Sequence, residues 1–485
     1  MRRYRYPLCL LALVALAAAL RAPRLTGYDG LGGDEAYILA LAQRPLLRMF
    51  RLFTFEGNGV VYPILEWPLV RVSQSLAMLR LPAFAAGVLA VPALVWAGSR
   101  IVGLRAAIAA AALLAVNPVA VTYSQLARPY VFAMLSVTVA YGCLARIDVS
   151  RWYWIGFVAA MTIAGYSNAL AVAIVLPGQV VMVLGDKTRV RGWLAALTAV
   201  AIALIPLVVL VAVERSKRNA LYWLSKPTLE DVKTLLIDFF ASRYGVLVGA
   251  LLVAVWLVRR RLDTKGIWVA FSWGAVAPLL LFLASQVSPV FTRAYALPAL
   301  PGALLFVAAA ASALPRPVEV VGLALLGALF LQGSLFHAGD FHPPGLRSAI
   351  AALASERRAG QPVLFDIPDG LSAAGFYDRG LQGRGRLVMS EWRDEPLPRG
   401  IVLRDDPGGY AKAPPGPPSA SLIRGLARHG AAYLVFYEAA QQGDLSESPG
   451  VRWARKSCQT KTTRFDVNAA RGQRGIVLMR IARCR

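Results

Sequence analysis

The sequence predicts a polytopic α-helical membrane bundle of about eleven transmembrane helices, followed by a C-terminal extracytoplasmic α/β domain. The composition is membrane-like: 57% of the 485 residues are hydrophobic and only 16% are charged, whereas soluble proteins carry about a quarter of charged residues. Apolar runs separated by short basic segments fill residues 1–336, which we predict to be the transmembrane domain. After Phe336 the composition becomes that of a soluble domain, 337–485.

Crossing a bilayer takes roughly 17 to 25 residues, and all of the apolar runs reach this length except 169–184 and 244–258, which are slightly shorter. The runs lie at 7–23, 79–97, 106–122, 129–145, 152–168, 169–184, 192–213, 244–258, 267–286, 294–312 and 317–336. The first run also resembles a signal peptide, because the basic segment Met1 to Arg5 precedes it and Ala17 to Ala19 resembles a cleavage site. An uncleaved first helix is the favoured interpretation, since the rest of the chain is membranous.

The positions of arginine and lysine predict the topology. If the N-terminus is cytoplasmic, every short inner loop is basic, as the positive-inside rule requires. The inner residues are Arg100, Arg105, Arg146, Arg151, Lys187, Arg189, Arg191, Arg259, Arg260, Arg261, Lys265 and Arg316. The net charge of +25 is therefore explained by topology, which argues against a nucleic-acid partner. A plasma (inner) membrane protein follows, with outward segments at 24–78, at 214–243 and in the whole tail.

An acidic pair, Asp34 and Glu35, follows two glycines where the first outward loop leaves the membrane. Charge at this depth is costly and tends to be functional. Such a carboxylate could act as a general base toward a hydroxyl or ligate a divalent cation. Equally, two acids suit the first turn of a helix running toward Leu47.

Arginines on the outward side are the second unusual feature. Arg128 stands in the turn at 123–130, and Arg293 opens another outward segment at 289–301. A guanidinium there can bind a phosphate through paired hydrogen bonds. Alternatively, its side chain reaches for lipid headgroups.

The outward loop 214–243 has two parts. Its basic beginning includes Arg215 and Lys217, which could hold a lipid-linked phosphate or contact anionic headgroups. After Thr228, a predicted N-cap, apolar residues recur at helical spacing, which predicts an amphipathic helix on the membrane surface or against the bundle.

The tail reads as helices and strands of a small α/β domain. Strands at 460–467 and 476–483 would pair as a hairpin and place Cys458 nearly opposite Cys484. Because this topology puts the tail in an oxidising compartment, we predict a disulfide between them. Cys9 and Cys143 lie in apolar segments and are expected to be packing residues.

Taken together, the outward segments resemble the type C membrane glycosyltransferases that use polyprenyl-phosphate sugars, in the branch of the protein mannosyltransferases and the lipid A aminoarabinose transferases. The resemblance covers roughly residues 28–345. The motifs that carry it are Asp34-Glu35, Arg80-Leu81-Pro82 with residues 87–92, Tyr123-Ser124-Gln125 with residues 127–130, and residues 293–301. Where many relatives have a histidine, this chain reads Asn58-Gly59-Val60-Val61-Tyr62, and its late motif has an inserted alanine, Ala294. These differences bear on donor and acceptor identity.

The resemblance implies an inverting transfer of a sugar from a lipid phosphate in the outer leaflet to an acceptor hydroxyl on a glycan, lipid or protein. Asp34 would be the base and Glu35 a second carboxylate that positions Asp34 or binds the acceptor. Arg128, supported by Arg293, Arg215 and Lys217, would bind the donor phosphate. Substrate contacts are expected at Asn58, Tyr62, Tyr123, Gln125, Tyr130 and Tyr295. A divalent metal near Asp34, which some relatives have, stays open.

A transporter or flippase of lipid-linked sugars is the competing function, because it would also need outward cations and many helices. Such proteins usually carry charges or broken helices near the bilayer midplane. Here the apolar runs contain almost no charge and the unusual residues cluster at one face, which favours an enzyme. An assembly scaffold built around the tail would leave the motifs unexplained.

Overall fold

The computed structural model describes most of the membrane domain and parts of the tail. The described residues are 2–26, 31, 33–53, 59–217, 225–259, 265–336, 346–358, 361–365, 376–377, 401–403, 430–438, 449–465 and 475–483. Asn58 and Cys484 lie outside them. The side chains of Asp34, Arg215 and Lys217 are also outside the description, although their backbones are within it.

The described chain is mostly helical, with a few strands near its end. The helices are α1 Arg2–Arg21, α2 Gly33–Ala42, α3 Leu46–Leu52, α4 Val61–Val72, α5 Leu76–Ile101, α6 Leu104–Val116, α7 Pro118–Tyr123, α8 Tyr130–Leu144, α9 Trp152–Ser167, α10 Ala169–Ile174, α11 Leu176–Val183, α12 Lys187–Ala203, α13 Ile205–Lys217, α14 Leu229–Phe239, α15 Arg243–Arg259, α16 Lys265–Phe271, α17 Ala277–Ser285, α18 Arg293–Ala296, α19 Leu300–Ser312, α20 Arg316–Phe336, α21 Leu346–Glu356 and α22 Pro449–Ser457. Two 3-10 turns, Ala22–Arg24 and Leu297–Ala299, and a π-helical turn, Ser272–Val276, extend neighbouring helices.

Four helical stretches in the described part are long and apolar enough to cross a membrane: Leu76–Ile101, Lys265–Ser285, Arg293–Ser312 and Arg316–Phe336. Two bent pairs raise this number to six if each is one span. They are Lys187–Ala203 with Ile205–Val213, bent by 44°, and Leu229–Phe239 with Arg243–Val258, bent by 84°. The count of about eleven spans stays a prediction.

Several predicted spans are broken in the structure, which is why fewer helices reach full length. The Asn117 side chain accepts a hydrogen bond from the Ala120 amide at 3.1 Å and starts α7, so the run 106–122 becomes two helices. The Asn168 side chain accepts one from the Leu170 amide at 3.1 Å and starts α10, in agreement with the predicted boundary between the runs 152–168 and 169–184. The second of these runs is divided at Val175 into α10 and α11. An asparagine at an N-cap satisfies amides that the new helix leaves unpaired.

Helix α5 lies at the centre of the membrane domain and packs against α1, α6 and α8. A close approach needs Gly87 here, because a Cβ at that position would lie 1.9 Å from the Ser124 Oγ. The glycine therefore lets α5 touch the turn at 124–129, which joins α7 to α8. Gly87 belongs to the second motif of the family resemblance.

The segment predicted as the first outward loop folds into the short helices α2, α3 and α4. Helix α4 packs against α2, α5 and α9 and buries Glu66 completely. Neither oxygen of that carboxyl has a hydrogen-bond partner. Because burial penalises the charged form, the pKa of Glu66 is raised from 4.5 to about 9.

Five strands at the end of the described chain form one mixed sheet: β1 Val363–Phe365, β2 Ile401–Leu403, β3 Ala431–Glu438, β4 Gln459–Phe465 and β5 Gly475–Ala482. The spatial order is β2-β1-β3-β5-β4. The first three strands are parallel to one another, and β5 pairs antiparallel with β3 and β4. That this part is an extracytoplasmic domain stays a proposal.

Cys458 immediately precedes the β4–β5 ladder, whose first pair is Gln459 with Ala482. Cys458 is disulfide-bonded. Its predicted partner, Cys484, lies outside the described residues, so the pairing itself stays a prediction. Cys9 and Cys143 are free thiols.

The buried carboxyl of Glu66 predicts a pH-dependent stability. Between pH 4.5 and about 9 the folded state holds a proton that the unfolded chain releases, so stability falls as pH rises, by about 1.4 kcal/mol per pH unit. Glu66→Gln removes this titration and keeps the shape. Thermal unfolding in detergent from pH 5 to pH 9 should show the midpoint of the wild type falling progressively below that of the variant. If the difference between the two midpoints does not change with pH, the raised pKa of Glu66 is contradicted.

Candidate functional site

The Glu35 carboxylate connects three segments that are distant in sequence. Its Oε1 accepts hydrogen bonds from the Arg80 Nε at 2.9 Å and from the Ala127 amide at 2.8 Å. Its Oε2 accepts one from the Arg80 Nη2 at 2.7 Å. Both side chains are only 2% exposed. The carboxylate thus fastens α2 to α5 and to the turn at 124–129.

This arrangement separates the roles of the two acids. A buried carboxylate held by a guanidinium fork and an amide stays ionised and fixed, so Glu35 suits positioning better than proton transfer. Asp34 precedes it in the first turn of α2, and Arg128 follows Ala127. The hydrogen bond from the Ala127 amide to the Glu35 side chain joins the residues next to Asp34 and Arg128, so these two backbones lie in the same region of the fold.

A second contact involves the turn at 124–129 and the segment that begins at Gly59. Gly59, at the start of the turn into α4, has φ +84°, and a Cβ there would lie 2.6 Å from the Pro129 side chain. Glycine is the residue that tolerates both this backbone conformation and this contact. The segment that follows Asn58 therefore packs directly beside Arg128.

Three tyrosines from separate segments form an aromatic group, the tyrosine cluster Tyr123, Tyr130 and Tyr295. The ring of Tyr130 lies 5.6 Å from that of Tyr123 and 6.1 Å from that of Tyr295, in edge-to-face contacts. The Arg128 Nη2 lies 3.2 Å from the Tyr130 hydroxyl, and its guanidinium lies 5.5 Å from the ring centre. Edge-to-face pairs of this kind fix ring orientation.

Arg293 lies on the other side of the same cluster. It begins α18, which Thr292 caps by accepting a hydrogen bond from the Tyr295 amide at 3.3 Å. Its Nη1 forms an ion pair with the Asp238 Oδ1 at 3.2 Å. Tyr123 lies within electrostatic reach of Arg293, Arg128 and Asp238. The two predicted phosphate-binding arginines therefore lie in the surroundings of the same tyrosine.

Asp238 is a residue that the sequence reasoning missed. It lies near the end of the amphipathic helix α14, whose start is stabilised by a hydrogen bond from the Thr228 amide to the Asp231 side chain at 2.7 Å, as the N-cap prediction expected. An acid near a helix C-terminus is unfavourable by itself, and this was the available signal that Asp238 serves another partner. Next to it, the Phe239 carbonyl accepts a hydrogen bond from the Asn117 side chain at 2.8 Å, which attaches α14 to α7.

Arg21 is the second residue that was missed. Completely buried at the end of α1, it donates hydrogen bonds to the Ser124 Oγ at 3.1 Å and to the Ala115 carbonyl at 2.9 Å. Carbonyls at the end of α6 are a favourable place for a cation. Gln125 adds to this attachment by donating to the Arg21 carbonyl at 3.1 Å. Helix α1 therefore holds the turn at 124–129 in place.

The remaining predicted residues have different surroundings. Tyr62 is fully buried and donates to the Leu79 carbonyl at 2.8 Å, while its ring packs edge-to-face on Phe132 at 5.9 Å. Tyr62 therefore makes structural contacts that support the site, as Gln125 does. Arg215 and Lys217 end α13, but their side chains are not described. Asn58 lies outside the described residues.

A metal site is not apparent in the part of the chain that the structure describes, which contains no group of three or more His, Cys, Asp or Glu residues suited to a metal. The side chain of Asp34 is not included in that search. Metal binding near Asp34 therefore stays open, and no contact described above depends on it.

Comparison with solved structures identifies the architecture. ArnT from Cupriavidus metallidurans, solved in the apo state and bound to undecaprenyl phosphate, superimposes with a TM-score of 0.60 over 96% of this chain and 97% of its own, at 12% identity. The chain has the type C glycosyltransferase fold. The oligosaccharyltransferase AglB from Archaeoglobus fulgidus, in complex with an inhibitory peptide and a dolichol-phosphate, gives a TM-score of 0.57 at 11% identity, over 90% of this chain and 69% of that protein.

The fold assignment agrees with the resemblance inferred from the sequence motifs. No protein-family model matches the sequence, and no curated protein matches it either. At 11–12% identity, the type C fold is what the comparison establishes. Substrate and reaction must be argued from the site itself.

The Glu35 contacts predict a large structural effect of one isosteric change. Glu35→Gln keeps the size but leaves Arg80 buried without its counter-charge, which should cost about 3–5 kcal/mol. The exposed pair Lys233–Glu230 offers a matched control, because Glu230→Gln should cost less than about 1 kcal/mol. Thermal unfolding of both variants in detergent gives the comparison, and equal midpoints would contradict a structural role for Glu35.

Proposed function

We propose that this protein is a membrane glycosyltransferase that moves a sugar from a polyprenyl-phosphate donor to an acceptor hydroxyl, with inversion at the anomeric carbon. The proposal rests chiefly on the Glu35 contacts, which hold the first turn of α2, where Asp34 lies, against the turn that carries Arg128. A base and a phosphate-binding cation at one place are the two groups that such a displacement needs.

In the proposed mechanism the acceptor oxygen attacks the anomeric carbon while Asp34 accepts the hydroxyl proton. The bond between that carbon and the phosphate oxygen breaks, and polyprenyl phosphate leaves with one additional negative charge. Arg128 and Arg293 would stabilise this charge, with Arg215 and Lys217 as further candidates on α13. Preorganised cations of this kind usually make the largest single catalytic contribution.

The ion pair between Arg293 and Asp238 affects how Arg293 can bind a phosphate. Asp238 is only 18% exposed and partly neutralises Arg293, so a phosphate that approaches Arg293 must compete with a carboxylate. Arg128 lies at the edge of the tyrosine cluster. The family resemblance makes Arg128 the main phosphate contact and Arg293 a supporting one.

The neighbouring structures and the charge pattern support the lipid-linked donor. ArnT was solved with undecaprenyl phosphate and AglB with a dolichol-phosphate. By analogy, a polyprenyl carrier would approach from the bilayer, and the acceptor would be a glycan, a lipid or a protein. We place the protein in the plasma (inner) membrane, with a cytoplasmic N-terminus and the site and tail on the other side.

The flippase alternative needs charges within the membrane-spanning stretches. In the described spans the charged residues lie near the helix ends, such as Arg80 and Arg100 in α5 or Arg316 and Glu319 in α20. Charges confined to the helix ends favour an enzyme over a carrier with a charged site at the midplane.

The first test of this function uses Asp34→Asn. Purified protein in lipid nanodiscs is incubated with labelled polyprenyl-phosphate sugars and candidate acceptors, and released polyprenyl phosphate and glycosylated product are measured. The variant should express normally yet lose transfer, because an amide cannot accept the hydroxyl proton.

Asp148→Asn is the matched control for this test, since Asp148 is 61% exposed and pairs with Arg189 on the predicted cytoplasmic side. It should keep full activity. Full activity of Asp34→Asn would remove Asp34 from the mechanism. Movement of a lipid-linked sugar across the bilayer without release of lipid phosphate would instead support the flippase.

The donor contact is tested by replacing Arg128. Arg128→Ala should lower kcat/KM for the donor by roughly 100-fold or more, since it removes a preorganised charge from the leaving phosphate. Arg128→Lys should recover part of this loss, because it restores the charge without the paired geometry. Arg151→Ala, at an exposed arginine beside α9, serves as the control. If Arg128→Ala and Arg151→Ala behave alike, Arg128 does not bind the donor.

A further inference from the structure

A tail residue, Tyr377, contacts the loop that leads to Asp34. Its hydroxyl accepts a short hydrogen bond from the backbone amide of Leu31, a residue 346 positions earlier in the chain. Leu31 is 2% exposed and lies just ahead of α2, whose first turn carries Asp34. The tail therefore reaches the backbone that sets the position of the proposed base.

The same residue packs in the hydrophobic core that the membrane domain and the tail share. Phe376 and Tyr377 pack against this core, and their rings meet edge-to-face at 5.3 Å. Tyr377 also lies within electrostatic reach of Arg80 and Glu35. The tail contact therefore lies in the same region as the ion pair that fastens α2.

The hydroxyl still has a proton to donate. A tyrosine hydroxyl can accept and donate at the same time, and among the described residues the structure gives that proton no acceptor. Burial raises the pKa of Tyr377 above its usual value, so the proton is retained at neutral pH. The hydroxyl therefore combines one accepted hydrogen bond with a proton that it can still donate.

A second tyrosine of the tail has a purely local role and provides the contrast. The Tyr433 hydroxyl donates to the Glu356 carbonyl at 2.9 Å, which joins β3 to the end of α21. Removing that hydroxyl changes a contact within the tail alone. Removing the hydroxyl of Tyr377 changes a contact between the tail and the site.

We propose that Tyr377 is a positioning residue for the transfer reaction: by holding the Leu31 amide, the tail fixes the start of α2 and with it Asp34. This inference rests on the proposed function and adds a task for the tail, which is to complete the site. A transfer reaction is sensitive to the placement of its base, since small displacements of a catalytic group reduce the rate strongly.

The test compares Tyr377→Phe with the matched control Tyr433→Phe in the full-length protein in nanodiscs. Hydrogen–deuterium exchange with fragmentation reports the Leu31 amide without requiring activity. Loss of one hydrogen bond should raise its exchange rate by about tenfold in Tyr377→Phe, and Tyr433→Phe should leave it unchanged. An unchanged Leu31 amide in Tyr377→Phe would overturn the contact and the inference with it.

Kinetics then separate positioning from simple stabilisation. Tyr377→Phe should lower kcat by about tenfold with little change in the donor KM, and should shift the pH profile of kcat, because the surroundings of the base change. Equal loss in both variants would show a general weakening of the tail and overturn the positioning role. An inactive wild type would count against the proposed function, while the exchange comparison would still decide whether Tyr377 holds Leu31.

Discussion

The site depends on one buried ion pair, between Glu35 and Arg80, extended by the Ala127 amide. Burying two charges costs several kcal/mol for each ion, and only close geometry with further hydrogen bonds offsets this. Here the three hydrogen bonds of Glu35 to Arg80 and Ala127 are between 2.7 and 2.9 Å. The constraint is strong because slippage would leave a buried charge uncompensated, so α2, α5 and the following turn keep one relative position.

Around this pair, several further contacts hold the turn at 124–129 in place. Arg21 fastens the turn to α1, Gly87 admits it against α5, and Pro129 packs on Gly59. Most of these contacts involve backbone or small side chains and contribute no reactive group. Such support is what a preorganised site needs, since a charge that must move during the reaction loses much of its catalytic value.

The described arginines divide into structural and candidate functional groups by their partners. Arg21 and Arg80 are buried and saturated by carbonyls or a carboxylate, which suits support. Arg128 and Arg293 are partly exposed beside tyrosines and Asp238, where an incoming phosphate can compete for them. The tail also reaches this region, through the hydrogen bond between Tyr377 and Leu31.

Hydropathy, charge placement and short motifs are local properties, so the membrane class, the acidic pair, the arginines at 128 and 293 and the resemblance to the type C fold were predictable from the sequence. The contacts of each polar residue were visible only in the three-dimensional structure. Asp238 and Tyr377 carry no local signature of their partners, since Arg293 and Leu31 lie 55 and 346 positions away. The break at Asn117 within the run 106–122 likewise reflects capping that hydropathy averages away.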